Sequence, residues 1–202
     1  MRNHYNPKCL SDRLSSCLVC LLRQPADLYF GKDYVRRAMV IETIAALPGM
    51  IGGKFQHYKS LRWMRTDHGW SHLLLSEAEN ERAHLMTMLA IGRPTLMDRI
   101  LVWPLQFGFC VLYSLAYILS PRICHRFVGY LEEEAIRSYT FFLEEINAGH
   151  IRNPAAPGLA KKLWELPEHA RLSDVIMAIR ADEMRHRDNN HHLASQMGKG
   201  RF

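Results

Sequence analysis

The motif Glu-x-x-His occurs twice in this 202-residue sequence, as Glu81-Arg-Ala-His84 and as Glu183-Met-Arg-His186. Both copies lie in segments whose pattern predicts an α-helix, and a step of three residues returns to nearly the same helix face. Each copy therefore directs one carboxylate and one imidazole to a common point, a donor pair suited to transition metals such as iron. One copy would be weak evidence, because this spacing arises by chance on solvated helices, but two copies predict metal chemistry.

A further glutamate precedes each motif on a separate predicted helix: Glu42 before the first and Glu132 before the second. The order Glu, Glu-x-x-His, Glu, Glu-x-x-His is the pattern of a carboxylate-bridged two-metal centre. Four carboxylates balance the charge of two divalent ions and can bridge them, while each imidazole adds a nitrogen ligand. The competing interpretation is an unusually charged surface of a helical bundle. We predict that two metal ions, taken to be iron, are bound by Glu42, Glu81, His84, Glu132, Glu183 and His186.

The second of these glutamates belongs to a triplet, Glu132-Glu133-Glu134, so its orientation has to be inferred from helical neighbours. Glu132 shares a helix face with Val128 and Phe142, whereas Glu133 shares one with Arg137. We therefore predict that Glu132 points into the protein and that Glu133 does not.

Six helices are predicted, and no segment has a strong strand pattern. Pro48 is expected to end or kink the second helix, and the glycines of the run Gly49–Gly53 to permit close helix packing. Together with the chain length, this predicts an all-α protein with a single domain over residues 1–202. The predicted helices cover about residues 11–29, 32–46, 68–91, 100–119, 122–145 and 173–192.

The segment 100–119 contains no formally charged residue and would span about 30 Å as a helix, the length of a transmembrane segment. Pro104, Gln106 and Gly108 interrupt it, and no partner span is nearby. A helix lying in the membrane face and a buried helix are therefore alternatives to a span.

Lysine and arginine outnumber aspartate and glutamate by 26 to 20, a balance that suits nucleic acid or anionic lipid. The sequence has no RNA-binding signature, zinc finger or basic arm, so we predict a lipid partner and no nucleic acid. The five cysteines and the lack of a cleavable signal pattern argue against a disulfide framework. The Cys17-x-x-Cys20 pair is interpreted as packing residues rather than a metal or redox site.

Four stretches of the sequence resemble the alternative oxidases, the cyanide-insensitive quinol oxidases of respiratory chains. The resemblance covers about residues 12–192. The four stretches are Ile41–Gly53, Glu77–Leu85, His125–Ala135 and Arg180–His186.

This resemblance implies a six-helix fold in which four helices form a ferritin-like di-iron bundle. The other two helices, residues 11–29 and 100–119, would form an apolar face that enters one leaflet without crossing it, a monotopic arrangement. The implied activity is the reduction of dioxygen to water by two ubiquinols without proton pumping, in a homodimer. Other di-iron proteins, among them a quinone-ring hydroxylase, a plastid-type plastoquinol oxidase and a ferritin relative, are the alternatives within this chemistry, and a membrane scaffold is the non-enzymatic alternative.

Further site residues follow from the resemblance by position. Tyr139 is implied as a radical or electron-transfer group, with a core tyrosine as its alternative. The network that orients the histidines is matched by Asn80, His125, Trp164 and Asp182. The quinol pocket is matched by Arg23, Asp27, Arg37, Ile41 and Thr140, although a plain salt bridge would also explain the first two of these.

The chain departs from many family members in beginning close to its first helix, without a long arm or a mitochondrial presequence. This favours a bacterial member on the cytoplasmic face of the inner membrane. The alternative is a mitochondrial protein on the matrix side whose presequence has been removed.

Overall fold

The computed structural model describes residues 4–198 and is helical throughout, with no β-strand in that range and one isolated bridge between Ala155 and Arg171. The predicted all-α class is confirmed. The helices of the described residues are α1 Leu10–Phe30, α2 Tyr34–Trp63, α3 Trp70–Ile91, α4 Leu96–Leu119, α5 Pro121–Asn147, α6 Gly158–Leu163 and α7 Leu172–Met197.

Two features differ from the prediction of six helices. The extra helix, α6, has six residues and lies in the connection between α5 and α7, too short to give a periodic pattern. The second helix continues through Pro48 to Trp63 instead of stopping near residue 46. Proline removes a helical donor, and close to this point the Gln106 side chain on α4 donates to the Thr43 carbonyl at 2.8 Å. This bond reaches the backbone one residue before Ile44, whose carbonyl loses its helical donor at Pro48.

The chain divides into two compact units. Unit 1 joins the residues up to Tyr34 to those from Arg122 onward, so it holds α1, α6, α7 and nearly all of α5. Unit 2 is the continuous segment Val35–Pro121, with α2, α3 and α4. Each unit carries one of the two glutamates predicted to act with a motif, Glu42 or Glu132, and one Glu-x-x-His motif. That the chain forms one domain stays a prediction.

In unit 2, glycines allow α2 and α3 to approach closely. A Cβ at Gly49 would lie 2.5 Å from the Leu74 carbonyl oxygen, and one at Gly53 would lie 2.9 Å from Leu75 Cγ. Real Cβ atoms do not come so near to a backbone oxygen, so only glycine fits at Gly49. The close packing predicted from the Gly49–Gly53 run is therefore confirmed.

In unit 1, α5 and α7 are in similarly close contact. A Cβ at Gly129 would lie 2.5 Å from the His191 ring. The apolar side of α7 is fully buried at Val175, Ile176 and Ile179. This burial supplies much of the hydrophobic stabilisation of unit 1 and fixes the α7 face that carries Glu183 and His186.

Within residues 4–198, two helices are long and apolar enough to cross a membrane. In α2, 44% of the apolar stretch is buried, as in a core helix, whereas only 11% is buried in α4. Helix α1 also exposes apolar side chains, including Leu14 and Leu21. Cys17 and Cys20 on α1 are exposed free thiols, so their interpretation as packing residues was wrong for the described chain.

Candidate metal centre

Unit 2 brings three of the predicted ligands together. Glu42 comes from α2, and Glu81 and His84 come from one face of α3. The His84 Nδ1 atom lies 3.4 Å from Glu81 Oε2 and 3.7 Å from Glu42 Oε2. All three side chains are buried, with His84 completely inaccessible. The unit therefore offers two carboxylates and one imidazole at a single point.

Unit 1 brings together the other three. Glu132 comes from α5, and Glu183 and His186 come from α7, with His186 Nδ1 3.8 Å from Glu183 Oε2. One ligand atom from each of the three residues lies within 4.8 Å of those of the others. Glu132 is 6% exposed and the other two are less exposed. The orientation predicted for Glu132 agrees with this placement.

The donor set of each unit fits a divalent transition metal. Buried carboxylates are costly unless a cation offsets their charge, and each group holds two of them next to an imidazole. Oxygen and nitrogen donors in this ratio suit iron or manganese. Structural zinc, by contrast, prefers sites rich in thiolates. A metal ion is the simplest partner for each group.

Hydrogen bonds in unit 1 contact residues beside the predicted ligands of α7. The Trp164 indole donates to Asp182 Oδ2 at 2.8 Å, and Asp182 precedes the ligand Glu183. His125 Nδ1 is 2.9 Å from Asn190 Oδ1, and the Asn190 amide donates to the His186 carbonyl at 3.0 Å. Such contacts fix the orientation of metal-binding side chains. Three of the four residues expected in this network therefore have partners close to α7 ligands.

Comparison with known proteins identifies the family to which these groups belong. The alternative oxidase family model matches residues 1–195. The chain belongs to the alternative oxidase family. The resemblance seen in the four sequence stretches is thereby confirmed.

Curated relatives point to the same family. "Ubiquinol oxidase, mitochondrial" of Batrachochytrium dendrobatidis is 53% identical over 194 residues, which is 96% of this chain and 61% of that protein. "Ubiquinol oxidase" of Trachipleistophora hominis is 52% identical over 191 residues, 95% of this chain and 60% of the relative. "Ubiquinol oxidase 2, mitochondrial" of Arabidopsis thaliana is 47% identical over 201 residues, 100% of this chain and 57% of the relative. The chain thus spans between 57% and 61% of the length of these relatives.

The residues matched to the quinol pocket of alternative oxidases are divided between the units. In unit 1, Arg23 Nε donates to Asp27 at 2.7 Å, the plain salt bridge left open by the sequence, and Arg23 Nη1 lies 3.4 Å from Glu134. Thr140 accepts a 3.4 Å hydrogen bond from Arg180. In unit 2, Arg37 is buried and Ile41 is half-buried. That these residues share one pocket stays a prediction.

The last two residues suggested by the alternative oxidase resemblance are placed as follows. Tyr139 is 5% exposed on α5, the helix of Glu132. Asn80, beside Glu81 on α3, is half-buried, and its Oδ1 has no hydrogen-bond partner among residues 4–198. The roles of Tyr139 and Asn80 stay predictions.

Burial holds His125 neutral, which has a consequence for stability. Desolvation lowers the pKa of His125 to about 4, against the opposing effect of its Asn190 hydrogen bond. The unfolded chain takes up this proton below about pH 6.5 and the folded chain does not, so stability is lost as pH falls from 6.5 towards 4. We expect this residue alone to make the protein about 2 kcal/mol less stable at pH 5 than at pH 7. Denaturant titrations at the two pH values should show a smaller difference for His125→Gln, and an unchanged difference would contradict the assignment.

A buried polar cluster in unit 1 was missed by the sequence analysis. Glu133 accepts hydrogen bonds from the Tyr5 amide at 2.8 Å, from His191 at 3.1 Å and from His4. The Arg126 guanidinium lies 3.8 Å from the centre of the Tyr5 ring and 3.3 Å from Asp12 Oδ1. Burial would raise the pKa of Glu133, but these hydrogen bonds lower it. The only signal in the sequence is that the segments around Tyr5 and around His191 contain tyrosine and histidine. This content does not tell which residues form hydrogen bonds with each other.

Glu133→Ala is expected to lower the stability of the protein without removing a metal ligand. The substitution leaves the donors of Tyr5 and His191 without their acceptor, which costs about 1–3 kcal/mol. For a chain of this size, the melting temperature should fall by roughly 3–10 °C. Metal binding by the predicted ligands should be largely preserved at a temperature where the variant is folded. Loss of iron equal to that of a ligand variant would contradict the assignment of Glu132, rather than Glu133, to the metal.

Proposed function

We propose that the protein is a ubiquinol:oxygen oxidoreductase of the alternative oxidase type. The observation that carries the proposal is the buried group of one glutamate and one Glu-x-x-His motif present in each unit of a chain from this family. The names of the three relatives, all ubiquinol oxidases, support the same substrate. The reaction is non-proton-pumping and cyanide-resistant.

The proposed cofactor is two iron ions held by six ligands, three from each unit. When bound, iron supplies the reversible redox chemistry that passes electrons to dioxygen. The protein contributes buried carboxylates that offset the charge of the metals, and helices that hold the donors in position. The hydrogen bonds at Asp182 and at the His186 carbonyl keep the α7 ligands oriented.

The proposed reaction balances in atoms and electrons. Two quinols each lose two electrons and two protons to become quinones, and dioxygen takes up the four electrons and four protons to become two water molecules. The quinol is proposed to bind to five residues, Arg23, Asp27, Arg37, Ile41 and Thr140. An ionised Asp27 held by Arg23 can accept a hydrogen bond from a quinol hydroxyl, and this bond orients the quinol ring. The Asp27 carboxylate can then receive the proton that leaves the hydroxyl.

A membrane location is part of the proposal, because quinols with isoprenoid tails reside in the bilayer. The exposed apolar side chains of α1 and α4 support attachment to one leaflet. The basic excess of the sequence suits anionic lipid. A homodimer and a bacterial origin stay predictions of the sequence analysis.

Oxygen consumption by the purified protein tests the proposal. Iron is measured first, and oxygen uptake is then followed in detergent with a short-chain ubiquinol, with and without cyanide. We expect about two irons per chain and uptake that cyanide does not inhibit. Two irons without quinol-driven uptake would replace the proposal with another di-iron chemistry, and a folded protein that binds no iron would refute the oxidase.

Tyr139→Phe tests the proposed electron-transfer role of the buried tyrosine. The substitution removes one hydroxyl and keeps the ring, so the protein should remain folded and retain its iron. Turnover should fall by about tenfold or more if the phenol takes part in electron or proton transfer. Iron content, melting temperature and turnover are measured on one preparation. Normal turnover would make Tyr139 a core residue.

A further inference from the structure

A groove in unit 2 is not used by the proposed oxidase reaction. It lies between α2, α3 and α4 and encloses a cavity of about 470 Å³. Its walls are mostly apolar, with Met39 and Val40 from α2, Leu85 and Leu89 from α3, and Val102 from α4. The volume and the lining suit a hydrocarbon chain rather than a polar metabolite.

The polar lining of the groove carries a net positive charge. Asp98 and Arg99 are among its lining residues, and Asp98 is already bound by Arg36 through two hydrogen bonds of 2.8 and 3.0 Å. The side chains of Arg99 and of nearby Arg93 are exposed and have no partner among residues 4–198. The N-terminus of α4 is already capped by Thr95 and the Asp98 carboxylate, so the positive charge comes from the two arginines. These arginines can therefore bind an anion.

The groove also borders the apolar surface of α4. Trp103 lines it and is 80% exposed. Tryptophan beside arginine is characteristic of the boundary between lipid headgroups and hydrocarbon. Beyond Trp103, α4 exposes Phe107, Leu112 and other apolar side chains. One groove thus combines two exposed arginines, an exposed tryptophan and apolar walls, the kinds of contact that a lipid headgroup, interface and acyl chain require.

We propose that this groove binds an anionic phospholipid, with one acyl chain along the apolar walls and the phosphate at Arg93 and Arg99. The inference rests on the membrane location given under the proposed function. A neutral quinol tail would fill the walls without using the two arginines, so the charge favours a phospholipid. The bound lipid would fix α4 at a defined depth in the leaflet.

Lipid titration of the detergent-purified protein, followed by native mass spectrometry, tests this. We expect one phosphatidylglycerol to bind in preference to phosphatidylcholine of the same acyl chains. Two arginines near an anionic headgroup together contribute about thirtyfold in affinity, so Arg93→Gln with Arg99→Gln should weaken phosphatidylglycerol binding roughly thirtyfold. The matched control, Arg62→Gln with Arg65→Gln, removes the same charge from exposed positions outside the groove and should change binding little.

A second variant tests the acyl-chain part. Val102→Trp adds bulk to the groove wall and should abolish tight binding of phosphatidylglycerol while leaving the melting temperature nearly unchanged. Glycerol 3-phosphate, which has the anionic group without the chains, should not compete for the site. Equal binding of the two lipids, equal effects of the two arginine pairs, or full competition by glycerol 3-phosphate would each overturn the proposal.

Iron content and quinol-driven oxygen uptake in detergent are measured on the same samples. Normal iron and uptake without selective lipid binding would remove the lipid site and leave the oxidase proposal intact. Selective lipid binding by a protein without quinol-driven uptake would remove the oxidase proposal and leave the lipid site intact.

Discussion

Glu132→Gln is expected to abolish iron-dependent oxygen consumption. The substitution keeps the size of the side chain but removes the negative charge that Glu132 contributes beside Glu183 and His186 in unit 1. Loss of groups that merely orient metal ligands costs 10–100-fold in metal affinity or activity. Loss of a ligand itself should exceed this, so turnover should fall more than about 100-fold. Iron analysis and oxygen uptake on the same preparation measure the effect.

The control for this variant is Glu144→Gln on the same helix. Glu144 is exposed and is bound by no other described residue, so the substitution makes the same chemical change away from the metal ligands. Its iron content and turnover should equal those of the unaltered protein. Similar losses in the two variants would mean that the effect arises from the charge of α5 and not from a ligand position.

Gly49→Ala is expected to be the most damaging single-methyl change in unit 2. The added Cβ would lie 2.5 Å from the Leu74 carbonyl oxygen and 3.1 Å from Ala78 Cβ. Backbone atoms cannot move aside as a flexible side chain can, so α2 must shift away from α3. Overpacking of this kind costs about 3 kcal/mol, which corresponds to a fall of roughly 6–12 °C in melting temperature. The shift also separates Glu42 from the α3 motif, and iron should be lost in proportion.

Gly108→Ala provides the opposite expectation for the same substitution. Nothing lies within 4 Å of a Cβ built at Gly108 inside α4. Alanine is favoured over glycine in a helix interior, so the variant should be stabilised by about 0.5–1 kcal/mol. Thermal melts of the two alanine variants are compared directly. Equal destabilisation would exclude the close approach of α2 and α3 as the cause.

The sequence predicted the ligand positions because helical periodicity is a local property. The Glu-x-x-His spacing and the apolar neighbours of Glu132 are enough to choose a helix face, and the structure buries all six residues, three in each unit. That they bind metal stays a prediction. The continuation of α2 through Pro48 was not predictable in this way. The backbone close to Pro48 is contacted by Gln106 of α4, which is distant in the sequence, so no local pattern reports the contact.

Glu133 illustrates the remaining limit of sequence reasoning. Its helical neighbour Arg137 suggested a solvated position, yet it accepts hydrogen bonds from Tyr5 and His191, which come from opposite ends of the chain. Partners so far apart leave no periodic signal. The exposure of Cys17 and Cys20 was missed for a related reason, since an apolar run does not reveal whether protein or membrane covers it.

The division of unit 1 into two chain segments affects how the protein can be made. Helix α1 is synthesised first, but Arg126, the partner of its Asp12, emerges only after all of unit 2. Contacts closed over such long loops form late in folding. During this interval the apolar side chains of α1 have no protein partner from α5 or α7. A nascent chain of this design benefits from an early encounter with a membrane or a chaperone, because the delay exposes a surface that would otherwise favour aggregation.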